Sequence, residues 1–553
     1  MQEQPWWQSG VIYQVYPRSF KDASGDGVGD LKGITQKLDY LEWLGVDAVW
    51  ICPFYPSPMA DFGYDVSDYT GVHPMFGTLE DFDELLRGAH EREIKVLIDF
   101  VPNHTSDEHP WFQGSRSSRT SPKRDWYVWR DPRPDGGPPN NWISMLGGEP
   151  AWTFDKGTGQ YYLRTFDAKQ PDLNWRNPEV RKAMHGVMRF WLDRGVDGFR
   201  IDVLSFLIKD EHLRDNPEHP DWRPGGPPYR RQLRLYSEDR PEVHEVVREM
   251  RAAADAYGRD KVLVGESALP PEKLVAYYGK ALDGVHLPFN FGLVLVQEWT
   301  PKVLRGVVEA YEAALPEGAW PNWFLGNHDG PRIAGRVGAA RARVAQMLLL
   351  TLRGTPTCYY GDEIGMTDVP IPEQLVVDPQ GIRNPGHGRD PARTPMQWDA
   401  TPKAGFCPGG AEPWLPVAED HAEVNVEAQR GDPRSMLALF RRMIFLRRRF
   451  PELAAGSYRS VEAKNEAVFA YLREDERRRG GGGVGQRVLV ALNLGASPQR
   501  ADLSEAGPAG AVLCSTALDR EGHVDLDVLE LRPNEGVVLL CGDEDLRGQG
   551  ERE

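Results

Sequence analysis

The sequence of 553 residues has only five cysteines, and no two of them form a CxxC pair. So few scattered thiols argue against a disulfide framework or a thiolate zinc site, and they predict buried thiols in a reducing, cytoplasmic setting. The chain also lacks any run of about 18 apolar residues, so we expect no membrane span. Its first residues show no basic start followed by an apolar stretch, so we expect no signal peptide.

Positive charge is also scarce, because 65 Lys and Arg residues stand against 82 Asp and Glu residues, for a net charge of −17. An acidic surface repels a phosphate backbone and an anionic bilayer, which argues against nucleic acid and membrane as partners. The content of 40% hydrophobic and 27% charged residues is typical of a globular protein. Its oligomeric state does not follow from these features.

Eight short apolar runs recur along the chain, and most are separated by segments with apolar residues at helical spacing. Strands that are buried on both faces have such continuous apolar runs. Eight of them alternating with helices predict an α/β fold, a closed (β/α)8 TIM barrel. The runs lie at 10–17, 47–53, 94–104, 198–203, 261–267, 284–291, 322–329 and 355–365.

Two stretches depart from the barrel pattern. Residues 105–174 are rich in Pro, Gly, Ser and Trp and too long for a simple loop, which predicts a small inserted substrate-binding domain over the barrel mouth. From 451 to 553 short alternating strands replace the helical spacing, which predicts a C-terminal antiparallel β-sandwich. Residues 1–104 and 175–450 then form the barrel. The Gly-rich stretch 477–486 is interpreted as a hairpin tip.

Polar side chains gather at the predicted C-terminal ends of the barrel strands, where chemistry takes place in such folds. They are Asp99, Asn103 and His104 on the third strand, Arg200 and Asp202 on the fourth, Glu266 on the fifth, and Asn327, His328 and Asp329 on the seventh. Crowded carboxylates raise the pKa of at least one of them. A protonated acid beside an ionised carboxylate can cleave a glycosidic bond. Arg200 shares a strand face with Asp202 and can hold it ionised.

These residues stand in recognisable motifs. DFVPNH (99–104), GFRIDV (198–203), VGES (264–267) and LGNHD (325–329) resemble the four short regions shared by the α-amylase family, glycoside hydrolase family 13. QPDLNW (170–175), GVIYQVYPRSF (10–20), FGYDVSDY (62–69) and GRDPARTPMQWD (388–399) resemble its oligo-1,6-glucosidase and α-glucosidase branch. The resemblance extends from about Trp6 into the C-terminal β domain.

The resemblance implies a retaining hydrolase with a covalent intermediate. Asp202 would be the nucleophile, Glu266 the general acid/base, and Asp329 would bind the 2- and 3-hydroxyls of the distorted sugar. His104 and His328 would donate hydrogen bonds to hydroxyls in the same subsite. The two reacting carboxyl groups of a retaining enzyme lie about 5 to 5.5 Å apart.

The resemblance also implies a substrate pocket with one closed end. Asp61 and Tyr64 would close the non-reducing end of the sugar subsite, and Arg389 would pair with Asp61 there. Phe166 would line the sugar face, although it could equally be core of the inserted domain. A closed end implies an exo-acting enzyme that removes one terminal glucose from a short α-glucoside.

Val203, directly after the implied nucleophile, bears on linkage. With valine at this position, the motif resembles that of enzymes that act on α-1,6 bonds. Motifs with Thr or Ala there resemble those of enzymes that act on α-1,4 bonds. We therefore expect α-1,6 activity together with activity on other α-glucosides. Ser267 and Gly330 depart from residues that are common in relatives, and both could widen the aglycone subsite.

Two other functions share these motifs or this fold. Transglucosylases and isomerases, such as sucrose isomerases and trehalose synthases, intercept the same intermediate with a sugar in place of water. Non-catalytic amylase-like partners of amino-acid transporters carry a membrane anchor and often lack the carboxylates. This sequence keeps all three carboxylates and shows no anchor, which disfavours the second alternative.

The loop DASGDGVGD places oxygen ligands at alternate positions, namely Asp22, Ser24, Asp26, Asp30 and the backbone carbonyl of Val28. Hard cations prefer such an oxygen cage, which predicts a structural Ca²⁺ or Mg²⁺ site; a Gly-rich turn is the alternative. Family relatives usually have Asn in place of Ser24, so the affinity is in question. Phe206 stands where many α-amylases use a histidine for another calcium, and we therefore predict no calcium there.

Overall fold

The computed structural model describes residues 4–475 and 486–541, and its centre is a closed barrel of eight parallel strands. The strands are β1 Ile12–Val15, β2 Ala48–Ile51, β3 Lys95–Phe100, β4 Gly198–Ile201, β5 Val262–Glu266, β6 Leu287–Asn290, β7 Asn322–Phe324 and β8 Thr355–Tyr359. Each pairs with the next in sequence, and β8 pairs with β1. The predicted barrel is confirmed. The run 322–329 is a strand only as far as Phe324.

Helices alternate with the barrel strands, as the apolar spacing predicts. Those of six or more residues in the described part of the chain span Leu31–Gln36, Leu38–Leu44, Leu79–Glu91, Pro110–Arg116, Pro178–Arg194, Val243–Asp255, Pro301–Ala314, Ala339–Thr351, Val426–Gly431 and Met436–Arg449. Local sequence signals determine where these helices begin and end. Thr78 and Asp81 form a capping box, and Gly195 ends its helix at φ +105°, a conformation that favours glycine.

Two long excursions leave the barrel at its C-terminal face. The first, within 105–174, carries an antiparallel sheet of Trp129–Arg130, Gln160–Leu163 and Trp152–Asp155, in that order. The second, at 202–242, follows β4 and was not predicted. The two are hydrogen bonded, since the Trp142 indole donates to the Arg214 carbonyl (2.9 Å). The limits of the inserted domain stay a prediction.

The C-terminal region is antiparallel, as predicted. Its six-stranded sheet has the order Ser457–Val461, Val468–Glu474, Arg487–Asn493, Glu535–Cys541, Ala509–Ser515 and His523–Asp525. Gln499–Ala501 and Leu529–Leu531 form a second, two-stranded sheet. One apolar core lies between the two sheets, and the opposite face joins the barrel core through residues such as Phe469 and Val538. The predicted hairpin tip, apart from Gln486, lies outside the described residues.

The thiols and helices bear on two of the sequence expectations. Cys52, Cys358, Cys407, Cys514 and Cys541 are all unpaired and buried. In the stretches 4–475 and 486–541, every helix is too short or too polar to cross a bilayer.

Candidate active site

Three buried carboxyl groups surround one guanidinium at the mouth of the barrel. Asp99 belongs to β3, Arg200 to β4 and Glu266 ends β5, while Asp202 directly follows β4. Arg200 Nη1 lies 2.9 Å from Asp202 Oδ1 and also contacts Asp99, and its Nη2 lies 2.7 Å from Glu266 Oε2. Arg200 therefore joins the implied nucleophile and the implied acid/base.

The protonation of this cluster follows from its burial. Burial raises the pKa of Asp202 well above its usual range and raises the pKa of Asp99 to about 6, although the charge of Arg200 opposes both shifts. Three ionised carboxylates would leave excess negative charge around a single cation. Asp99 and Asp202 therefore influence each other's ionisation, and burial favours a proton on these two groups.

The third predicted carboxylate, Asp329, lies in a more cationic setting beyond the end of β7. Its Oδ1 accepts hydrogen bonds from Arg393 Nη2 (2.9 Å) and Arg389 Nη1 (3.3 Å). Although burial disfavours its charge, His328 and these two arginines hold the pKa of Asp329 well below its usual range. Its side chain is still 35% exposed, so an ionised carboxylate faces the pocket and can accept hydrogen bonds from a ligand.

A buried ion-pair network joins Asp61, Arg389 and Asp378 beside Asp329. Arg389 Nη2 lies 2.7 Å from Asp61 Oδ1 and 2.6 Å from Asp378 Oδ1. Gln170 donates to the other oxygen of Asp61 (3.2 Å). Burial opposes the charge of Asp378, but Arg389 lowers the pKa of Asp378 to about 2. The predicted contact between Asp61 and Arg389 is present, and through Arg389 it is continuous with Asp329.

The ring of Tyr64 stacks on His328 at a centroid distance of 5.5 Å and an interplanar angle of 2°. Burial lowers the pKa of His328 to about 3, so the imidazole is neutral. Gln14 Nε2 lies 2.8 Å from His328 Nδ1. Because an amide nitrogen can only donate, the ring proton of His328 is assigned to its Nε2. The Nε2 proton points to the Tyr64 hydroxyl (2.7 Å) and Asp329 Oδ2 (3.3 Å).

His104 and Phe166 lie together at the seam between the barrel and the first excursion. Their ring centroids are 5.3 Å apart, and burial lowers the pKa of His104 to about 4, so its imidazole is neutral. Phe206 packs edge-on against Phe166 at 5.8 Å. Nearby, the buried ammonium of Lys209 lies 2.5 Å from Asp172 Oδ2 and donates to Asn103 Oδ1 (2.7 Å). The Lys209 ammonium thus links Asp172 of the first excursion to Asn103, just beyond β3.

The predicted cation loop uses its carboxylates within its own backbone. Asp22 and Asp30 are buried, and their oxygens accept the amide N–H groups of residues 23, 24, 25, 27 and 33, while Asp26 Oδ1 accepts the Val28 N–H (2.9 Å). Within the described ranges, no three His, Cys, Asp or Glu side chains are grouped to hold a metal. Asp30 Oδ2 already accepts two of these N–H groups, and Asp22 Oδ1 accepts the Gly25 N–H and the Ser24 hydroxyl, so the oxygen set suits a hard cation only if some of these hydrogen bonds are exchanged.

Several residues of the site were not identified from the sequence. Asp99 was noticed but given no role, although it is the partner of Arg200. Arg393 follows Arg389 by four residues within the same motif, a spacing that could have revealed it. Gln14 and Gln170 also lie in quoted motifs, at 10–20 and 170–175, but were given no role. Asp378 carries no such signal, since a buried Asp before Pro379 is typical of a helix N-cap, a role it also has.

Carboxyl groups held by one guanidinium at the mouth of a (β/α)8 barrel define the class as a glycoside hydrolase. Residues 14–456 match the family model described as "Alpha amylase, catalytic domain". The chain belongs to the α-amylase family of glycoside hydrolases, as its motifs predicted.

Named relatives cover nearly all of the chain. An oligo-1,6-glucosidase of Parageobacillus thermoglucosidasius is 40% identical over 510 residues, which cover 85% of this chain and 88% of that protein. A salivary alpha-glucosidase of Anopheles gambiae is 39% identical over 577 residues, covering 98% and 94%. Among solved structures, the alpha-glucosyl transfer enzyme XgtA is 41% identical with a TM-score of 0.89, covering 98% of this chain and 100% of that one.

Proposed function

We propose that this protein is an exo-acting, retaining α-glucosidase that releases glucose from the non-reducing end of short α-glucosides. The observation that carries the proposal is the continuous polar network from the closed end to the reacting groups. Asp61 and Arg389 block one end beside Asp329 (Arg389 Nη1 to Asp329 Oδ1, 3.3 Å), and Arg200 contacts both Asp202 and Glu266. A pocket blocked in this way admits one terminal sugar.

In the first step, an Asp202 oxygen attacks the anomeric carbon while the bond to the leaving oxygen breaks. Glu266 gives its proton to that oxygen, which completes the departing alcohol or sugar. Asp202 must be ionised to attack, so it gives up the proton that its burial favours, and Arg200 (Nη1 to Oδ1, 2.9 Å) orients it and favours this ionised form. Asp329 accepts hydrogen bonds from the sugar hydroxyls, and His328 joins it when its Nε2 proton exchanges the Tyr64 hydroxyl (2.7 Å) for a sugar hydroxyl. These hydrogen bonds strengthen as positive charge develops on the ring.

In the second step, Glu266 takes a proton from water, and the water oxygen attacks the same carbon and frees Asp202. Two displacements at one carbon retain its configuration. The contact of a single guanidinium with both carboxyl groups supports this course, because a retaining pair must lie close together. Transfer to a sugar in place of water is the second candidate, favoured by the 41% identity to a structure titled as an alpha-glucosyl transfer enzyme.

The proposal is tested by initial rates on maltose, isomaltose, sucrose, trehalose and longer oligomers side by side, with product analysis and the anomer of released glucose followed by NMR. We expect α-glucose as the first product, with Asp202→Ala reducing turnover by about 10⁴-fold or more. Isomerised or elongated products from most turnovers would favour the transfer alternative. Substantial residual activity in Asp202→Ala would exclude the assigned nucleophile.

Two further assignments are part of the proposal. We propose that loop 22–30 binds a structural Ca²⁺ or Mg²⁺, supported by the buried carboxylates of Asp22 and Asp30. We also propose a cytoplasmic site of action, which is supported by the five unpaired, buried thiols. Fractionation of the source cells, with the activity measured in each fraction, tests the compartment; activity confined to the medium would contradict it.

A further inference from the structure

A groove of about 780 Å³ lies among the helices Leu38–Leu44, Val426–Gly431 and Met436–Arg449. None of the residues that we place in the active site lines it. Clefts of this volume accommodate small molecules. The groove is cationic although the chain is acidic, because its charged lining consists of four arginines and two carboxylates, namely Arg430, Arg441, Arg442, Arg448, Glu42 and Asp432.

Two of these arginines are held against one indole ring. The guanidinium carbons of Arg430 and Arg441 lie 4.2 Å and 4.6 Å from the ring centroid of Trp43. Arg441 Nε also donates to the Trp43 carbonyl (2.9 Å). Stacking on an aromatic ring orders a planar guanidinium before a ligand arrives, which lowers the entropic cost of binding. Because they share one ring, the two guanidinium groups are near enough for a ligand with two phosphates to contact both.

The charges of three of the groove arginines are not neutralised by neighbours. Within 4–475 and 486–541, Arg430, Arg441 and Arg442 form no ion pair, and Arg430 donates no hydrogen bond. Glu42 pairs instead with Arg92 (3.6 Å), so one carboxylate of the lining remains against three cations. The groove therefore offers positive charge and unused N–H donors to an anion.

We propose that this groove binds a diphosphate, either free or as part of a nucleotide. A guanidinium presents N–H donors in a fixed fork that matches phosphate oxygens, so two ordered guanidinium groups match two phosphates. The net charge of −17 repels a long polyanion along its whole length, whereas a small ligand meets mainly the local cationic groove. Phe445 is 53% exposed, with the Arg442 guanidinium carbon 5.4 Å from its ring centroid, and its ring is available to stack on a base.

Isothermal titration calorimetry with pyrophosphate and with ADP, at constant ionic strength, tests the proposal. We expect both ligands to bind wild type. Arg430→Gln should weaken each about tenfold and Arg430→Gln/Arg441→Gln about a hundredfold, because each arginine contributes charge-assisted hydrogen bonds. Arg189→Gln/Arg248→Gln is the matched control, since it removes the same charge from two exposed arginines outside the groove. The control should bind both ligands as wild type does, and all variants should keep Tm within about 2 °C.

Two results would support the proposal and also identify the ligand. Tighter binding of ADP than of pyrophosphate, with the difference removed by Phe445→Ala, would point to a nucleotide, and equal or tighter binding of pyrophosphate would point to the free diphosphate.

The proposal would be overturned if neither ligand bound wild type, if the two double variants bound equally well, or if sulfate displaced the ligands at equal concentration. It would also be overturned by a wild-type dimer that Arg430→Gln/Arg441→Gln separates while neither ligand binds, because the groove would then receive an acidic surface of a second copy. All these measurements are of binding, so they leave the proposed α-glucosidase function, which is tested by turnover, untouched.

Discussion

Val203 shows how much one residue can contribute through its backbone. It adopts φ 39° and ψ 46°, and no other β-branched residue in 4–475 or 486–541 has positive φ. Such a conformation is costly for a β-branched side chain and persists where the surroundings enforce it. It directs the Val203 N–H to Glu266 Oε2 (3.0 Å). Val203 therefore has two separable roles. Its backbone N–H donates to the proposed acid/base, and its side chain directly follows the proposed nucleophile Asp202 in sequence.

The side-chain role is tested by Val203→Thr, which keeps the branched shape and the N–H donor but adds a hydroxyl. We expect the ratio of kcat/KM for isomaltose to that for maltose to fall about fivefold, because one polar atom in a small contact is worth about 1 kcal/mol. The pH profile of kcat/KM should be unchanged, since the backbone donor remains. An unchanged ratio would show that Val203 does not select linkage.

At the scale of elements, the barrel strands could be predicted because nearly all their residues are buried and apolar. The positions of the three carboxylates could be predicted because they stand in motifs at or just beyond the ends of β4, β5 and β7. The excursion 202–242 could not, since its Pro- and Arg-rich sequence has no periodicity and is ordered by partners such as Trp142 that lie far away in sequence. Asp378 was not predicted for a different reason, because its partner Arg389 was already assigned to Asp61.

The junction of β5 and β6 provides a pH-dependent element. His286 is buried just before β6, and its Nδ1 accepts the N–H of Leu263 in β5 (3.0 Å). Burial lowers the pKa of His286 to about 3. A histidine held neutral in the folded state stabilises it fully above its unfolded pKa of about 6.5, and this stability is lost as pH falls below that value.

His286→Asn removes the titrating group and keeps an oxygen that can accept the same N–H. Between pH 7 and pH 5 we expect wild type to lose about 2 kcal/mol more free energy of unfolding than the variant, as one proton is taken up on unfolding. Urea unfolding at both pH values measures the difference. The quantity compared is the change in the free energy of unfolding between pH 7 and pH 5, so a lower stability of the variant at pH 7 does not affect it. Equal changes in wild type and variant would exclude His286 as the titrating group.

At the scale of the whole molecule, distant parts of the chain are tied together by polar contacts to backbone carbonyls. Arg473 in the C-terminal sheet donates to the carbonyl of Thr351 (2.5 Å), which ends the helix Ala339–Thr351. Loop 22–30 does the same near the start of the chain, because the Asp22 N–H donates to the Phe406 carbonyl (2.9 Å) and the Trp414 N–H to the Gly27 carbonyl (2.9 Å). A cation in this loop would thus stabilise a junction between residues far apart in sequence.

Calcium should therefore raise the melting temperature of the whole protein without changing its chemistry. We expect saturating Ca²⁺ to raise Tm by about 2 °C relative to EDTA-treated protein, because a ligand that binds only the folded state stabilises it. Ser24→Asn, which restores the ligand common in relatives, should enlarge the shift, and Asp26→Asn should reduce it. Calorimetry with Ca²⁺ and Mg²⁺ measures this; identical Tm values in EDTA and in both metals would exclude the site.

The proposed closed end at Asp61 and Arg389 also determines the order in which the aglycone, water and glucose enter and leave the site. A pocket with a single opening requires the aglycone to leave before water can enter. The freed glucose then leaves last through the same opening. With the proposed closed end at Arg389, the enzyme cannot move along a polymer from one cut to the next. Each cut ends in complete release, and accumulated glucose re-enters the same chamber and competes with the next substrate.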